Sequence, residues 1–153
     1  MNKQFDHGKT LNAGRQAVLV IAALSLVNVA LTLMDAGISF TFSASFPTMA
    51  IAIGQTFAEE SGSSVFWMAG LAVAALSIVS YFLCWILSKA HPFVIVIALV
   101  MFVLDTLLLL VLFYLSGNMA DGIIDIVFHA LALFYLIKGA AAWNGIRKQE
   151  ARG

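Results

Sequence analysis

Charged residues are scarce in this chain. They make up 10% of its 153 residues, whereas an ordinary soluble domain carries roughly 25%. Hydrophobic residues account for 62% of the sequence, and the mean hydropathy is +1.00. These values exclude a soluble globular domain and a disordered polar chain. The length suits one compact membrane domain over residues 1–153 rather than a membrane domain joined to a separate soluble one.

The chain also has a single cysteine and no net charge. Cys84 has no second cysteine with which to form an internal disulfide, and its position in an apolar run favours a packing role. Eight basic and eight acidic residues cancel. Because no overall charge attracts nucleic acid, we do not expect nucleic acid as a partner.

Sequence motifs of the common enzyme classes are missing. The sequence contains no glycine-rich phosphate loop, no Gly-x-Ser-x-Gly element and no paired-histidine zinc motif. These absences argue against an enzyme without deciding the question, and they predict no cofactor.

Four stretches of apolar residues are long enough to cross a membrane, since a hydrocarbon core of about 30 Å takes roughly 20 helical residues. They cover residues 16–34, 65–88, 92–116 and 122–143. The first is too long for the apolar core of a secretory signal, which spans about 7 to 15 residues, so we interpret it as a retained span. The pattern predicts an all-α integral membrane protein with four transmembrane helices in an antiparallel bundle.

Basic residues mark one side of this predicted bundle. They precede the first span, lie between the second and third, and follow the fourth: Lys3, Lys9, Arg15, Lys89, Arg147, Lys148 and Arg152. Residues 35–64 and 117–121 contain no Lys or Arg. Because short loops rich in Lys and Arg stay in the cytoplasm, both termini are predicted to be cytoplasmic, in a plasma (inner) membrane. Lys138 lies within the fourth span, and we expect its ammonium to snorkel to the cytoplasmic headgroups.

Residues 36–60, which we call the lid segment, are almost free of charge although they join two spans. A fifth span there would move Lys89 outside and two glutamates inside, which would reverse the charge asymmetry. We instead expect a short helix that opens at Pro47 and runs to about Glu60. It would lie in the outer interface, or dip into the membrane and return, packed over the bundle.

Polar residues inside the predicted spans fall on narrow helical faces or lie near the midplane. They are Asn28, Thr32 and Asp35 on the first span, Asp105 on the third, and Asp125 and His129 on the fourth. A central Asp costs about 2.5 to 3.5 kcal/mol on insertion scales, so such residues tend to be functional. These faces should meet, because lipid cannot satisfy their hydrogen bonds.

The carboxylates of the outer half have no basic neighbours. Six of the eight face the outer side or lie in the membrane: Asp35, Glu59, Glu60, Asp105, Asp121 and Asp125. An unpaired carboxylate there either takes up a proton or binds a cation. We therefore predict an acidic, outward-facing recess, with Asp105 near its floor, that binds or transports a cation or small cationic solute. The polar span residues of the preceding paragraph would be its ligand-binding residues.

Metal binding is the less favoured form of this hypothesis. Asp125 and His129 are one helical turn apart and could reach the same ion. However, one carboxylate and one imidazole fall short of the motifs that hold zinc. An intramembrane metalloenzyme would need a third ligand that the sequence does not provide.

A noncatalytic role is the alternative hypothesis. The second span carries small residues at Gly70, Ala74 and Ser77, and small residues let helix backbones approach closely. This face and the lid segment could dock onto another membrane protein, as in an assembly or regulatory subunit. Under either hypothesis the expected partners are the lipid bilayer and a second membrane chain, in a homo-oligomer or a complex with another protein.

Overall fold

The structure is a computed structural model that describes residues 3–38, 40, 43–117 and 122–151. The described part of the chain contains five α-helices and no strand. The helices are α1 (Lys3–Leu33), α2 (Phe46–Ser61), α3 (Ser64–Leu87), α4 (Val94–Ser116) and α5 (Ile123–Glu150). All except α2 are long and apolar enough to cross a membrane. The all-α class and the four candidate spans predicted from hydropathy are thus confirmed.

α1 and α5 are longer than their apolar stretches predict. α1 begins at Lys3 rather than near residue 16, and α5 continues to Glu150 rather than ending near residue 143. The two polar extensions pack on each other: a Cβ built on Gly145 would lie 2.9 Å from the ring of His7. Helix pairing therefore continues beyond the apolar residues, where hydropathy carries no signal.

The backbones of α1 and α5 cross at two glycines. A Cβ on Gly14 would lie 2.9 Å from Cα of Gly139 and 2.7 Å from the side chain of Ile95, at the start of α4. Beyond this crossing, toward the C-terminal end of α1, buried side chains from the four long helices pack together, among them Ile21, Phe102 and Leu136. In a membrane such contacts stabilise through close packing rather than through removal from water.

α2 lies against α3. Its first turn contains Pro47, and Gly62 ends the helix in the left-handed conformation at φ 67°. The structure therefore contains the helix predicted in the lid segment. α2 and α3 touch through their backbones, since a Cβ on Gly70 would lie 2.4 Å from the carbonyl oxygen of Ala50. The side chains of Ile51 and Ile78 pack beside this contact.

The connection between α3 and α4 marks one end of the molecule, which we call the turn end. Nε of Arg15 donates a hydrogen bond to Oγ of Ser88 at 3.0 Å, which ties α1 to the end of α3. The opposite end, where residues 62 and 63 join α2 to α3, is the lid end. The ammonium of Lys138 does not point toward the turn end, as the predicted snorkelling requires. It lies 4.2 Å from the ring centroid of Phe134, which is one turn closer to the lid end. The negative face of an aromatic ring attracts a cation at this distance.

Candidate functional site

Asp105, on α4, accepts hydrogen bonds from the backbone at the beginning of α2. Its Oδ2 accepts a hydrogen bond from the backbone N–H of Ser45 at 3.0 Å, and its Oδ1 accepts one from Phe46 at 2.7 Å. The first N–H groups of a helix have no intrahelical partner and carry partial positive charge, so a carboxylate stabilises them. Ser45 itself makes no side-chain cap. A residue of another helix therefore caps α2.

His129, on α5, completes the surroundings of this carboxylate. Its Nδ1 lies 2.9 Å from the backbone oxygen of Asp125, and its Nε2 lies 3.3 Å from Oδ2 of Asp105. A carbonyl oxygen only accepts, which assigns a proton to Nδ1. Nε2 and the carboxylate would both be acceptors without a further proton, so the pair shares one. The pair is therefore neutral as a whole, either as imidazolium and carboxylate or as two uncharged groups.

Burial isolates this pair from solvent. The side chains of Asp105 and His129 are each 2% exposed. The ring of Phe102 stacks on the imidazole, with centroids 5.0 Å apart and planes 11° apart. The shared proton consequently lies in a dry environment, where an isolated charge would be costly.

The polar stripe of α1 holds the chain that leads into α2. Nδ2 of Asn28 donates to the backbone oxygen of Phe40 at 2.8 Å and to Oγ of Ser43 at 2.6 Å. Its Oδ1 accepts from the N–H of Phe40 at 2.6 Å. Deeper along α1, Oγ of Ser25 accepts from the N–H of Ala44 at 2.8 Å. Irregular backbone between α1 and α2 thus has its hydrogen bonds satisfied by buried side chains.

The predicted site residues separate into two groups. Asn28, Asp105 and His129 are buried; Asn28 and Asp105 hold the same short segment in place, and His129 contacts Asp105. The others lie nearer the lid end: Thr32 and Asp35 are exposed, and Asp125 is half-buried. Asp35 follows the end of α1 with φ 53°, and Asp121 falls outside the described residues. The ligand-binding role of all six therefore remains a prediction.

Metal ligands do not cluster in the part of the chain that the structure describes. No group of three or more His, Cys, Asp or Glu side chains there could hold a metal ion. Nδ1 of the His129 side chain bonds to the backbone oxygen of Asp125, so this contact does not use the Asp125 carboxylate.

A cavity of about 560 Å³ lies between α3 and α4, beside the start of α2. Its polar groups come from Ser77, Ser80, Tyr81 and Asp105, and the rest of its wall is apolar. The volume falls within the range of about 300–1,000 Å³ that is usual for small-molecule sites. Tyr81 is not among the predicted site residues, and the cavity was not predicted, because the helical spacing of α3 does not show which neighbouring helix lies apart from it.

The small-residue face of α3 is largely occupied within the chain. Gly70 contacts the backbone of α2, and Ala74 is fully buried. Ser77 lies on the wall of the cavity. Gly70 and Ala74 are therefore not free to receive another membrane protein, and an assembly role would have to use other surfaces.

Comparison with protein-family models, with curated proteins and with solved structures finds no significant match to this chain.

Proposed function

We propose that this chain is an integral membrane protein that binds or transports a cation or small cationic solute, and that Asp105 is the residue that meets the positive charge. It crosses a plasma (inner) membrane four times as an antiparallel bundle and assembles as a homo-oligomer. Both termini lie in the cytoplasm. This orientation rests on the basic residues at the turn end, where Arg15 bonds to Ser88 next to Lys89, and on the rule that such residues stay cytoplasmic.

The lid segment is a re-entrant loop in this proposal. Asp105 follows the start of α4 by eleven residues, or about 16 Å at about 1.5 Å per residue. The beginning of α2 would then lie near the middle of the bilayer. Irregular backbone at that depth needs partners from the protein. Ser25, Asn28 and Asp105 supply them.

A single observation carries the proposed function: the carboxylate of Asp105 lies on the cavity wall, with Nε2 of His129 3.3 Å from its Oδ2. A buried carboxylate must remain neutralised in a dry environment. A cation that binds at Asp105 would take over this role, and the shared proton would be released. Binding would thus exchange a cation for a proton.

Acidic residues at the lid end support the same function. Asp35, Glu59 and Glu60 are exposed there, and residues 35–64 contain no Lys or Arg. A surface of one charge sign raises the local concentration of the opposite ion. The lid end would therefore attract cations toward the bundle.

Thermal stability of the protein in lipid nanodiscs tests this function. The melting temperature is measured against Na⁺, K⁺, Mg²⁺, guanidinium and tetramethylammonium at pH 6, 7 and 8 and constant ionic strength. A ligand that binds the folded state raises the melting temperature. Because the proton competes with the cation, the apparent affinity should rise with pH, by up to about tenfold per unit. Tyr81 is the other titratable side chain on the described cavity wall.

Three variants separate Asp105 from other acids. Asp105→Asn should abolish the cation-dependent shift, and Asp6→Asn, at an exposed position in the first turn of α1, should leave it unchanged. His129→Gln keeps the carboxylate but removes the imidazole, so cations should still bind with a weaker dependence on pH. A cation response that Asp105→Asn retains would refute the proposal, and so would the absence of a response to every cation.

A further inference from the structure

The cavity between α3 and α4 opens sideways from the molecule. Leu76 on α3 and Leu104 on α4 both line it, and they are 67% and 62% exposed. In the membrane orientation proposed above, this opening faces the acyl chains rather than either aqueous side. A ligand could therefore enter from the bilayer.

Tyr81 brings an unpartnered hydroxyl to this cavity. The residue is 2% exposed and lies on the cavity wall, yet its hydroxyl has no hydrogen-bond partner among the described residues. A buried tyrosine hydroxyl usually finds a partner. The Tyr81 hydroxyl is nevertheless accessible from the cavity. Among the described residues, the fully buried side-chain nitrogen or oxygen without a partner is Nε1 of Trp85, so the unpartnered oxygen of Tyr81 is not fully buried. An occupant of the cavity can supply the missing partner.

Ser77 lies one turn before Tyr81 on the same wall. Its hydroxyl also lacks a partner among the described residues, whereas Ser80 donates to the backbone oxygen of Leu76. Two free hydroxyls and the Asp105 carboxylate therefore share one cavity whose other walls are apolar. This arrangement suits a molecule with one compact polar group and an apolar body.

We propose that the cavity binds a lipophilic primary amine in its protonated form. This inference rests on the proposed function, in which Asp105 meets the positive charge of the ligand. The ammonium N–H groups would donate to the hydroxyl oxygens of Ser77 and Tyr81 and to the carboxylate, since an ammonium has three donors and no acceptor. The alkyl body would pack against Val73, Leu76 and Leu104. A bare inorganic cation would leave most of the cavity unfilled.

Equilibrium binding of radiolabelled octylamine to the protein in nanodiscs tests this inference, with binding to empty nanodiscs subtracted. We expect saturable binding of one molecule per chain. Tyr81→Phe removes one hydrogen bond to a charged group and should weaken binding about tenfold. Ser77→Phe should abolish binding, because it removes one hydroxyl and places a phenyl ring where the ammonium would bind. Val79→Phe is the matched control, because Val79 lies on α3 with 50% exposure and is not part of the cavity wall.

Competition with octan-1-ol identifies the polar group. The alcohol has nearly the same apolar body without the charge, so it should displace octylamine far less effectively than unlabelled octylamine does. Equal competition would overturn the assignment of an amine, and octylamine binding that survives Ser77→Phe would overturn the assignment of this cavity. If inorganic cations stabilise the protein through Asp105 while octylamine does not saturate, this inference fails and the proposed function stands. If neither binds, both fail.

Discussion

Gly70 determines how closely α2 approaches α3, and Gly70→Ala should loosen that contact. The new Cβ would lie 2.4 Å from the carbonyl oxygen of Ala50 and 3.2 Å from Cα of Gly54. Ordinary van der Waals contact begins at 3.4 Å, so the two helices would have to separate by about 1 Å. A close-packed interior provides such space only by shifting whole elements.

The expected loss of stability combines two opposing effects. Overpacking costs about 1–3 kcal/mol, and the obstacle here is backbone, which cannot change rotamer. Alanine has a higher helix propensity than glycine by about 0.8–1.0 kcal/mol, which offsets part of that cost. Gly70→Ala should therefore lower the free energy of unfolding by up to about 2 kcal/mol. Gly8→Ala is the matched control: a Cβ on Gly8 has no neighbour within 4 Å, so helix propensity alone should stabilise that variant.

Reversible unfolding in mixed micelles of a mild detergent and dodecyl sulfate measures both changes. Opposite signs for Gly70→Ala and Gly8→Ala are the expected result. Hydrogen exchange provides a second measurement, because a displaced α2 would weaken the bonds from Ser45 and Phe46 to Asp105 and expose those two amides. Equal stabilisation by both alanines, with unchanged exchange at residues 45 and 46, would refute the close packing of α2 on α3.

Two other substitutions test the remaining contacts. Gly14→Ala places a Cβ 2.9 Å from Cα of Gly139 and should destabilise the protein by up to about 2 kcal/mol. A stabilising effect like that of Gly8→Ala in the same unfolding assay would contradict the α1–α5 crossing. Asn28→Ala leaves the N–H of Phe40 without its partner and removes one of the two donors to its carbonyl. It should cost about 1–3 kcal/mol and speed proteolysis of the lid segment. The control Thr32→Ala removes an exposed hydroxyl that bonds within α1, so cleavage at an equal rate in both variants would disprove the role of Asn28.

Hydropathy predicts the parts of this fold that a membrane requires. The four spans and the helix in the lid segment follow from apolar length, proline placement and the scarcity of charge. The polar extensions of α1 and α5 could not be predicted in this way, because their helical state depends on pairing between distant segments. The contact between His7 and Gly145 illustrates this: neither residue carries a helix signal of its own.

The candidate site was predictable in composition but not in arrangement. The cost of an ionisable group in a membrane directs attention to Asp105 and His129, and both are buried together. The predicted partners of Asp105 were side chains, whereas the structure pairs it with the N–H groups of Ser45 and Phe46 as well. A signal for this exists in the sequence, since the helix after Ser45 has Pro47 but no acidic residue in its first turn. Its free N–H groups therefore need an anion from elsewhere.

The position of Asp105 links the cavity to the lid segment. One carboxylate holds the first residues of α2, lies 3.3 Å from Nε2 of His129 and lines the cavity. Under the proposed function, a cation bound to this carboxylate changes the strength of the hydrogen bonds that the carboxylate accepts from the N–H groups of Ser45 and Phe46. Linkage is reciprocal, so if cation binding changes the docking equilibrium of α2 by some factor, docking of α2 changes the cation affinity by that factor. Glycine contacts far from the charge, such as that of Gly70 with Ala50, would then set the affinity of the site as well as the stability of the fold.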